Sequence, residues 1–301
     1  MKRAIITGAT GAIGTALTKE LTAQGIEVLI FTHEKSTRNK NILDHPLVKV
    51  KYCSLEQLAL VDNDMGKSYD IFYHLAWSGS SGPNRHDMYM QNLNVKYALD
   101  AVRAAQKFGC HTFIGAGSQA EYGNAGCVLK AQTPVFPQMG YGYAKLCAGQ
   151  MTRDYAAQLG IRHIWVRILS VYGPNDWAQS LVMSTVNKLK QGIIPGFTKG
   201  EQIWDYLYSK DAAKALYLLA QKGRSGKVYV LGSGRSRPLK EFVREIRDVV
   251  APGAELAFGV VAYGKNQVMY LCADPSDLEN DVGWKATTDF KDGIKEIVNT
   301  L

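Results

Sequence analysis

The stretch that most constrains this chain is its first fourteen residues. Arg3-Ala4-Ile5-Ile6-Thr7 is a short, β-branched apolar run that reads as a buried strand. Gly8-Ala9-Thr10-Gly11-Ala12-Ile13-Gly14 follows at once, and from Ala12 to Gln24 the residues Ile13, Leu17 and Leu21 recur on one helical face. A glycine turn between strand and helix lets backbone approach a ligand with no Cβ in the way. It also aims the free N–H groups of a helix N-terminus at a phosphate. With strand and helix both in place, the turn suits the pyrophosphate of a dinucleotide better than a plain structural role. The candidate contacts are Gly8, Thr10, Gly11, Ala12, Ile13 and Gly14.

A chain of 301 residues, 46% hydrophobic, can bury a sizeable core in one large α/β domain or in a domain with a smaller lobe. Strand-like runs at 27–32, 47–52, 69–75, 111–115 and 161–169 alternate with helical patterns, the longest at 88–107 and 139–159. That alternation predicts a doubly wound parallel sheet of the Rossmann type. After Gly173-Pro174 the elements shorten, with helices at 178–190, 209–221, 239–250 and 289–298 and strands at 227–231 and 259–261. The expected division is therefore 1–172 for the dinucleotide-binding and catalytic part. Residues 173–301 would form mainly a smaller C-terminal substrate-binding lobe, with the chain free to cross back.

Several classes are set aside. No run is long and apolar enough to span a bilayer, and the apolar run ending at Thr7 is too short for a signal peptide. The five cysteines (Cys53, Cys110, Cys127, Cys147, Cys272) form no CxxC pair, which suits a reducing cytoplasm and speaks against a structural metal. A net charge of +8 favours an anionic partner or plain solubility. A nucleic-acid partner would need dense basic clusters interleaved with aromatics. The most basic stretch, Arg235 to Arg247, is broken by Pro238, Glu241 and Glu245 and reads as a loop entering a solvated helix face.

Beyond the second strand lie Thr32-His33-Glu34-Lys35-Ser36, with Arg38 close behind. An acid about twenty residues past the glycine turn would take the ribose 2′-hydroxyl of NAD. Thr32 cannot play that part, whereas Lys35 and Arg38 can hold a 2′-phosphate through charge-assisted hydrogen bonds. The stretch favours NADP, with Glu34 keeping NAD as the alternative. Thr32, His33, Lys35 and Arg38 are the candidate contacts. After the fourth strand, His74-Leu75-Ala76-Trp77-Ser78 occupies a strand's C-terminal end, where open parallel sheets bind ligands. Leu75, Ala76 and Trp77 are assigned to the cofactor and Ser78 to a substrate.

Three stretches carry chemistry. In Tyr141-Gly142-Tyr143-Ala144-Lys145 the outer pair shares one helix face, so an ammonium beside the Tyr141 phenol would favour its phenolate. In Gly115-Ala116-Gly117-Ser118-Gln119, Ser118 stands at a strand's C-terminal end, where its hydroxyl can meet a substrate oxygen or simply satisfy the turn. In Arg167-Ile168-Leu169-Ser170-Val171-Tyr172-Gly173-Pro174, Arg167 is the lone charge of an apolar run and calls for a partner, structural or ligand.

In this order the motifs resemble the extended short-chain dehydrogenase/reductase family over nearly the full length, in its nucleotide-sugar epimerase, reductase and dehydratase branch. The matching positions are Gly8, Gly11 and Gly14; His74-Leu75-Ala76; Asn94-Val95; Ser118; Tyr141 and Lys145; Val171 to Pro174; Asp205-Tyr206; and Gly283-Trp284. The resemblance implies that Tyr141 is the acid/base. It implies that Lys145 lowers the phenol's pKa and holds the nicotinamide ribose, and that Ser118 orients the reacting oxygen. The C-terminal lobe would bind a nucleoside diphosphate. The chain departs from the pattern at Cys53-Ser54, where an aspartate is usual. Gln119-Ala120 stand where dehydratases carry Asp-Glu. Ser170 replaces an asparagine, and Trp204 replaces an arginine that grips a substrate phosphate. Gln119, Ser170, Asn175, Trp177, Gln202 and Trp204 are the remaining candidate substrate contacts, beside Ser78 and Ser118. The expected activity is reduction of a nucleotide-activated 4-keto-6-deoxy sugar. A 4-epimerase using bound NAD is the first alternative; a non-catalytic dinucleotide sensor or scaffold is the second. A homodimer through the two long helices is expected.

Overall fold

The computed structural model describes residues 1–301. The glycine turn joins β1 (Arg3–Thr7) to α1 (Ala12–Ala23). There follow β2 (Glu27–Thr32), β3 (Val48–Tyr52), β4 (Ile71–His74), α2 (Met88–Lys107), β5 (Thr112–Ser118), β6 (Val128–Leu129), α3 (Gly140–Gln158), β7 (Arg162–Ile168) and β8 (Ser170–Tyr172). The chain continues through α4 (Leu181–Lys190), β9 (Gly196–Phe197), β10 (Ile203–Tyr208), α5 (Ser209–Lys222), β11 (Val228–Leu231) and β12 (Ser236–Pro238). It ends with α6 (Leu239–Val250), β13 (Ala257–Phe258), β14 (Cys272–Ala273), α7 (Ser276–Val282) and α8 (Phe290–Thr300).

Seven strands pair in parallel in the order β11-β7-β5-β4-β1-β2-β3, a Rossmann-type sheet. Side chains alternate across it with period two. Ala4 and Ile6 of β1 join Leu17 and Leu21 of α1 and Leu216 and Leu219 of α5 on one face. Ile5 joins Phe72, Phe113, the Ala101–Ala105 end of α2 and the following Phe108 on the other. Burying one such leucine or isoleucine contributes about 1.5–3 kcal/mol. Ala98 on α2 and Ala144 and Ala148 on α3 are buried together, so these two long helices approach closely. The order of connections reverses at β1, which lies between β2 and β4, and opens a crevice beyond the strands' C-terminal ends.

The C-terminal part contributes to both lobes. β11 returns to the main sheet beside β7, while β10 pairs with β8 and β12 in a three-stranded sheet. α4, α6 and α8 close over that smaller sheet around Tyr172, Val186, Tyr208, Ile246 and Ile294. The structure corrects four expectations here. The strand expected at 259–261 is β13, at Ala257–Phe258, because Gly259 turns the chain with φ +84°. The helix expected from Ala178 starts at Leu181, where Ser180 caps it by accepting from the Met183 N–H at 3.3 Å. The six-residue β10 was not anticipated. The Arg235–Arg247 stretch is only partly solvated, since Phe242, Val243 and Ile246 are buried and Arg237 makes a two-pronged pair with Glu245. No helix is long and apolar enough to cross a membrane.

Candidate active site

Packing dictates two glycines of the opening turn. At Gly8, with φ +79°, a Cβ would stand 2.6 Å from the Ala76 nitrogen; at Gly14 it would stand 2.1 Å from the Gly8 carbonyl oxygen. These contacts bring the Leu75–Ala76 loop against the turn. A Cβ on Gly11 would meet only the Arg38 guanidinium, at 3.7 Å, so the bare backbone there serves a ligand's approach. α1 opens with no side-chain cap, which leaves its first N–H groups to an anion in the crevice. This arrangement fits a dinucleotide pyrophosphate. Arg38 reaches the turn, donating to the carbonyls of Thr10 (3.2 Å) and Asn175 (2.6 Å). The Thr32 hydroxyl donates to Asn39, and Lys35 is exposed, its backbone N–H on the His33 ring. His74 is buried and bonded to Thr7, with its pKa lowered to about 3 by burial, so it remains neutral.

β5 delivers Ser118, and the 3-10 turn Gln119–Glu121 locks it. The Ser118 hydroxyl accepts from the Ala120 N–H at 3.1 Å, and the Ser118 N–H donates to the Glu121 carboxylate at 2.9 Å. Glu121 is completely buried and also accepts from the Trp165 indole (3.0 Å) and from Arg167 (2.7 Å). Arg167 covers the Tyr122 ring, its guanidinium carbon 4.6 Å from the centre. Arg167, the lone charge of β7's apolar run, is thus paired within the protein. A carboxylate held in this way is engaged in shaping the Ser118 turn.

α3 presents Tyr141 and Lys145 on one face. Lys145 is buried; its ammonium donates to the Ala116 carbonyl at 2.6 Å and stands 3.6 Å from the centre of the Trp77 ring. Burial lowers its pKa to about 7. Trp77 meets Tyr141 edge-on at 6.1 Å and donates its indole N–H to Gln91 at 2.8 Å. The expectation that Lys145 lowers the Tyr141 pKa needs correction. Desolvation pushes the phenol above its ordinary value, while a hydrogen bond with Ser118 and the charge of Arg85 pull it down. The Lys145 ammonium is 5.8 Å from the phenol ring's centre and has its own partners.

A cavity of about 640 Å³ opens beside these groups, with Arg85, Gln119, Gln138, Ser170, Trp204 and Lys265 among its walls. The Trp204 indole donates to the Ser170 hydroxyl at 2.8 Å, so two departures from the family pattern meet each other. Of the other candidate contacts, Ser78 is exposed, with its backbone clamped on both sides by the Asn94 amide. Asn175, with φ +63°, accepts from Arg38 through its carbonyl, and Trp177 is exposed. Gln202 is buried and its amide is bonded to Thr198. Arg85 and Lys265 escaped the sequence reading because neither lies in a periodic or motif-bearing run. Glu121 lies three residues past Ser118, and its pairing with Arg167 carries no sequence signal. No group of three or more histidine, cysteine or acidic side chains could hold a metal ion.

A profile of the NAD-dependent epimerase/dehydratase family matches residues 4–232. The chain belongs to that family. It is 23% identical to the CDP-abequose synthase of Salmonella typhimurium, over 99% of this chain and 97% of that protein. Among solved structures, the UDP-N-acetylglucosamine 4-epimerase of Methanobrevibacter ruminantium superposes with a TM-score of 0.88 at 21% identity, covering 100% of this chain and 99% of that one. RMD from Pseudomonas aeruginosa, complexed with NADPH, superposes at 0.82 and 19% identity, covering 99% and 98%. Membership accounts for the glycine turn, the Tyr141–Lys145 helix and the crevice that unites them. The chain is thereby an enzyme of the NAD-dependent epimerase/dehydratase class.

Proposed function

We propose that this chain reduces a nucleotide-activated 4-keto-6-deoxy sugar at the expense of a nicotinamide dinucleotide, NADP in preference to NAD. The observation that carries the reading is the convergence, beyond the C-terminal ends of the central strands, of the glycine turn, the Ser118–Tyr141–Lys145 cluster and the cavity lined by Gln119 and Lys265. The nicotinamide supplies the hydride. Ser118 orients the carbonyl oxygen, and Tyr141 gives that oxygen the proton that completes the alcohol. Lys145, once drawn off the Ala116 carbonyl, is the donor suited to a ribose hydroxyl. Arg38 beside the turn supports the choice of NADP, as a cation suited to a 2′-phosphate. Glu121, held by Arg167, is not free to serve as a base, which speaks against a dehydratase. The similarity to a CDP-sugar synthase supports a nucleotide-linked substrate. The alternative, a 4-epimerase that retains NAD, has the fold-level likeness to a 4-epimerase in its favour.

The test is a panel of CDP-, UDP-, GDP- and dTDP-linked 4-keto-6-deoxy sugars with NADPH or NADH, with products identified by NMR. The expected result is stoichiometric loss of NADPH and a new alcohol at C4. Sugar inversion without net cofactor consumption would establish the epimerase instead. Arg38→Ala should weaken NADPH binding selectively; equal NADPH and NADH affinities in the parent protein would end the NADP assignment.

A further inference from the structure

Arg85 lies in the 3-10 turn Gly82–His86, which packs against α2 and α3. Its guanidinium carbon stands 4.7 Å from the centre of the Tyr141 ring. Arg85 joins none of the molecule's ion pairs. Its Nε is buried without a hydrogen-bond partner. Buried donors in folded proteins are ordinarily satisfied, so an arginine left in this state beside a reacting group calls for a functional account. The same side chain borders the 640 Å³ cavity.

The other groups around Tyr141 do not supply comparable charge. Lys145, on the same helix, is bonded to Ala116 and stacked on Trp77, and burial leaves it only partly charged at neutral pH. Glu121, behind Ser118, opposes a phenolate but is held by Arg167 at 2.7 Å. Trp77 and Ser118 are neutral. A guanidinium, in contrast, stays protonated across the whole working range.

We infer that Arg85 is a positioning residue for the proton donor: lying over the Tyr141 ring, it supplies the standing positive charge that favours the phenolate left when the proton is given up. This inference rests on the reading of Tyr141 as the proton donor. The O–H bond of Tyr141 breaks as the new O–H bond of the product forms, and Arg85 stabilises the resulting negative charge without exchanging a proton itself.

The test needs no substrate. Stopped-flow pH jumps on the full-length protein record tyrosinate absorbance before alkaline unfolding proceeds. Subtracting the Tyr141→Phe trace isolates Tyr141. The same pair of traces is then taken in Arg85→Gln and Arg85→Lys backgrounds, with Arg85→Met in reserve should the glutamine variant not fold. The Arg85 charge, its guanidinium carbon 4.7 Å from the ring's centre, predicts that Arg85→Gln raises the Tyr141 midpoint by about one pH unit or more. Arg85→Lys should keep most of the parental midpoint. A midpoint that moves by less than about 0.3 of a pH unit in the glutamine or methionine variant overturns the inference. So does an equal rise in the lysine variant, because lost packing and not lost charge would then be the cause. Failure of the sugar panel leaves this titration intact, so the two readings fail separately.

Discussion

Glu121→Gln should destabilise the protein strongly although it changes one atom. The carboxylate accepts from the Ser118 N–H, the Trp165 indole and the Arg167 guanidinium, and none of its surface reaches solvent. The glutamine oxygen can keep two of these donors, but its NH₂ then faces the Arg167 N–H, and the guanidinium is left buried without its counter-charge. Removing one partner of such a pair costs about 3–5 kcal/mol. With an m value of about 3 kcal/mol/M for a chain of this size, the urea midpoint should fall by roughly 1–1.7 M. The assay is equilibrium urea unfolding read by circular dichroism, with m unchanged between variants. The double variant Glu121→Gln/Arg167→Met should recover part of the loss, because neither charge is then stranded. A glutamine variant whose midpoint lies within about 0.2 M of the parent, or singles that add fully in the double, would refute the buried-pair account.

Tyr141→Phe should fold and bind cofactor normally while its single-turnover hydride transfer falls by about a hundredfold or more, and Ser118→Ala should lose less; parental rates for the phenylalanine variant would remove Tyr141 from the mechanism. Lys145 releases its proton at about 7 in the folded state and near 10.5 when unfolded, so the unfolded chain binds more protons between these values and stability rises with pH across that window. Urea midpoints against pH should show this slope in the parent and a flatter line in Lys145→Met; identical slopes would contradict it. The outer faces of α2 and α3 expose Tyr89, Leu93, Tyr143 and Met151, and a dimer across them predicts twice the monomer mass by light scattering at micromolar concentration.

The main sheet was readable because six of its strands bury both faces and appear as apolar runs, with only the edge strand β3 largely exposed, and the long helices because their apolar period persists for many turns. The short strands β9, β13 and β14 carry no such signal: two residues each, they exist because a partner strand lies alongside. Their placement belongs to tertiary structure. The same division holds in the site. Ser118, Tyr141 and Lys145 announce themselves by spacing, and Arg38 by its charge after β2. Arg85 sits in a glycine-proline turn with no periodicity, and its importance comes only from an approach to a helix more than fifty residues away. The Trp204–Ser170 hydrogen bond was hidden for a similar reason, since each residue alone looked like a loss and only their contact shows a replacement.

The Asp205 carboxylate, wholly buried at the middle of β10, accepts from the Ser233 N–H and hydroxyl, the Gly234 N–H and the Ala273 N–H. Every one of those donors lies beyond residue 232, where the family match stops. That boundary of sequence similarity is therefore not a seam in the molecule. A chain divided there would strand a naked carboxylate among Leu169, Gly232 and the bare edge of β10. Its two parts would have to be co-expressed or fused again to recover the fold, and any exchange of C-terminal segments between relatives has to carry Asp205 and its loop together.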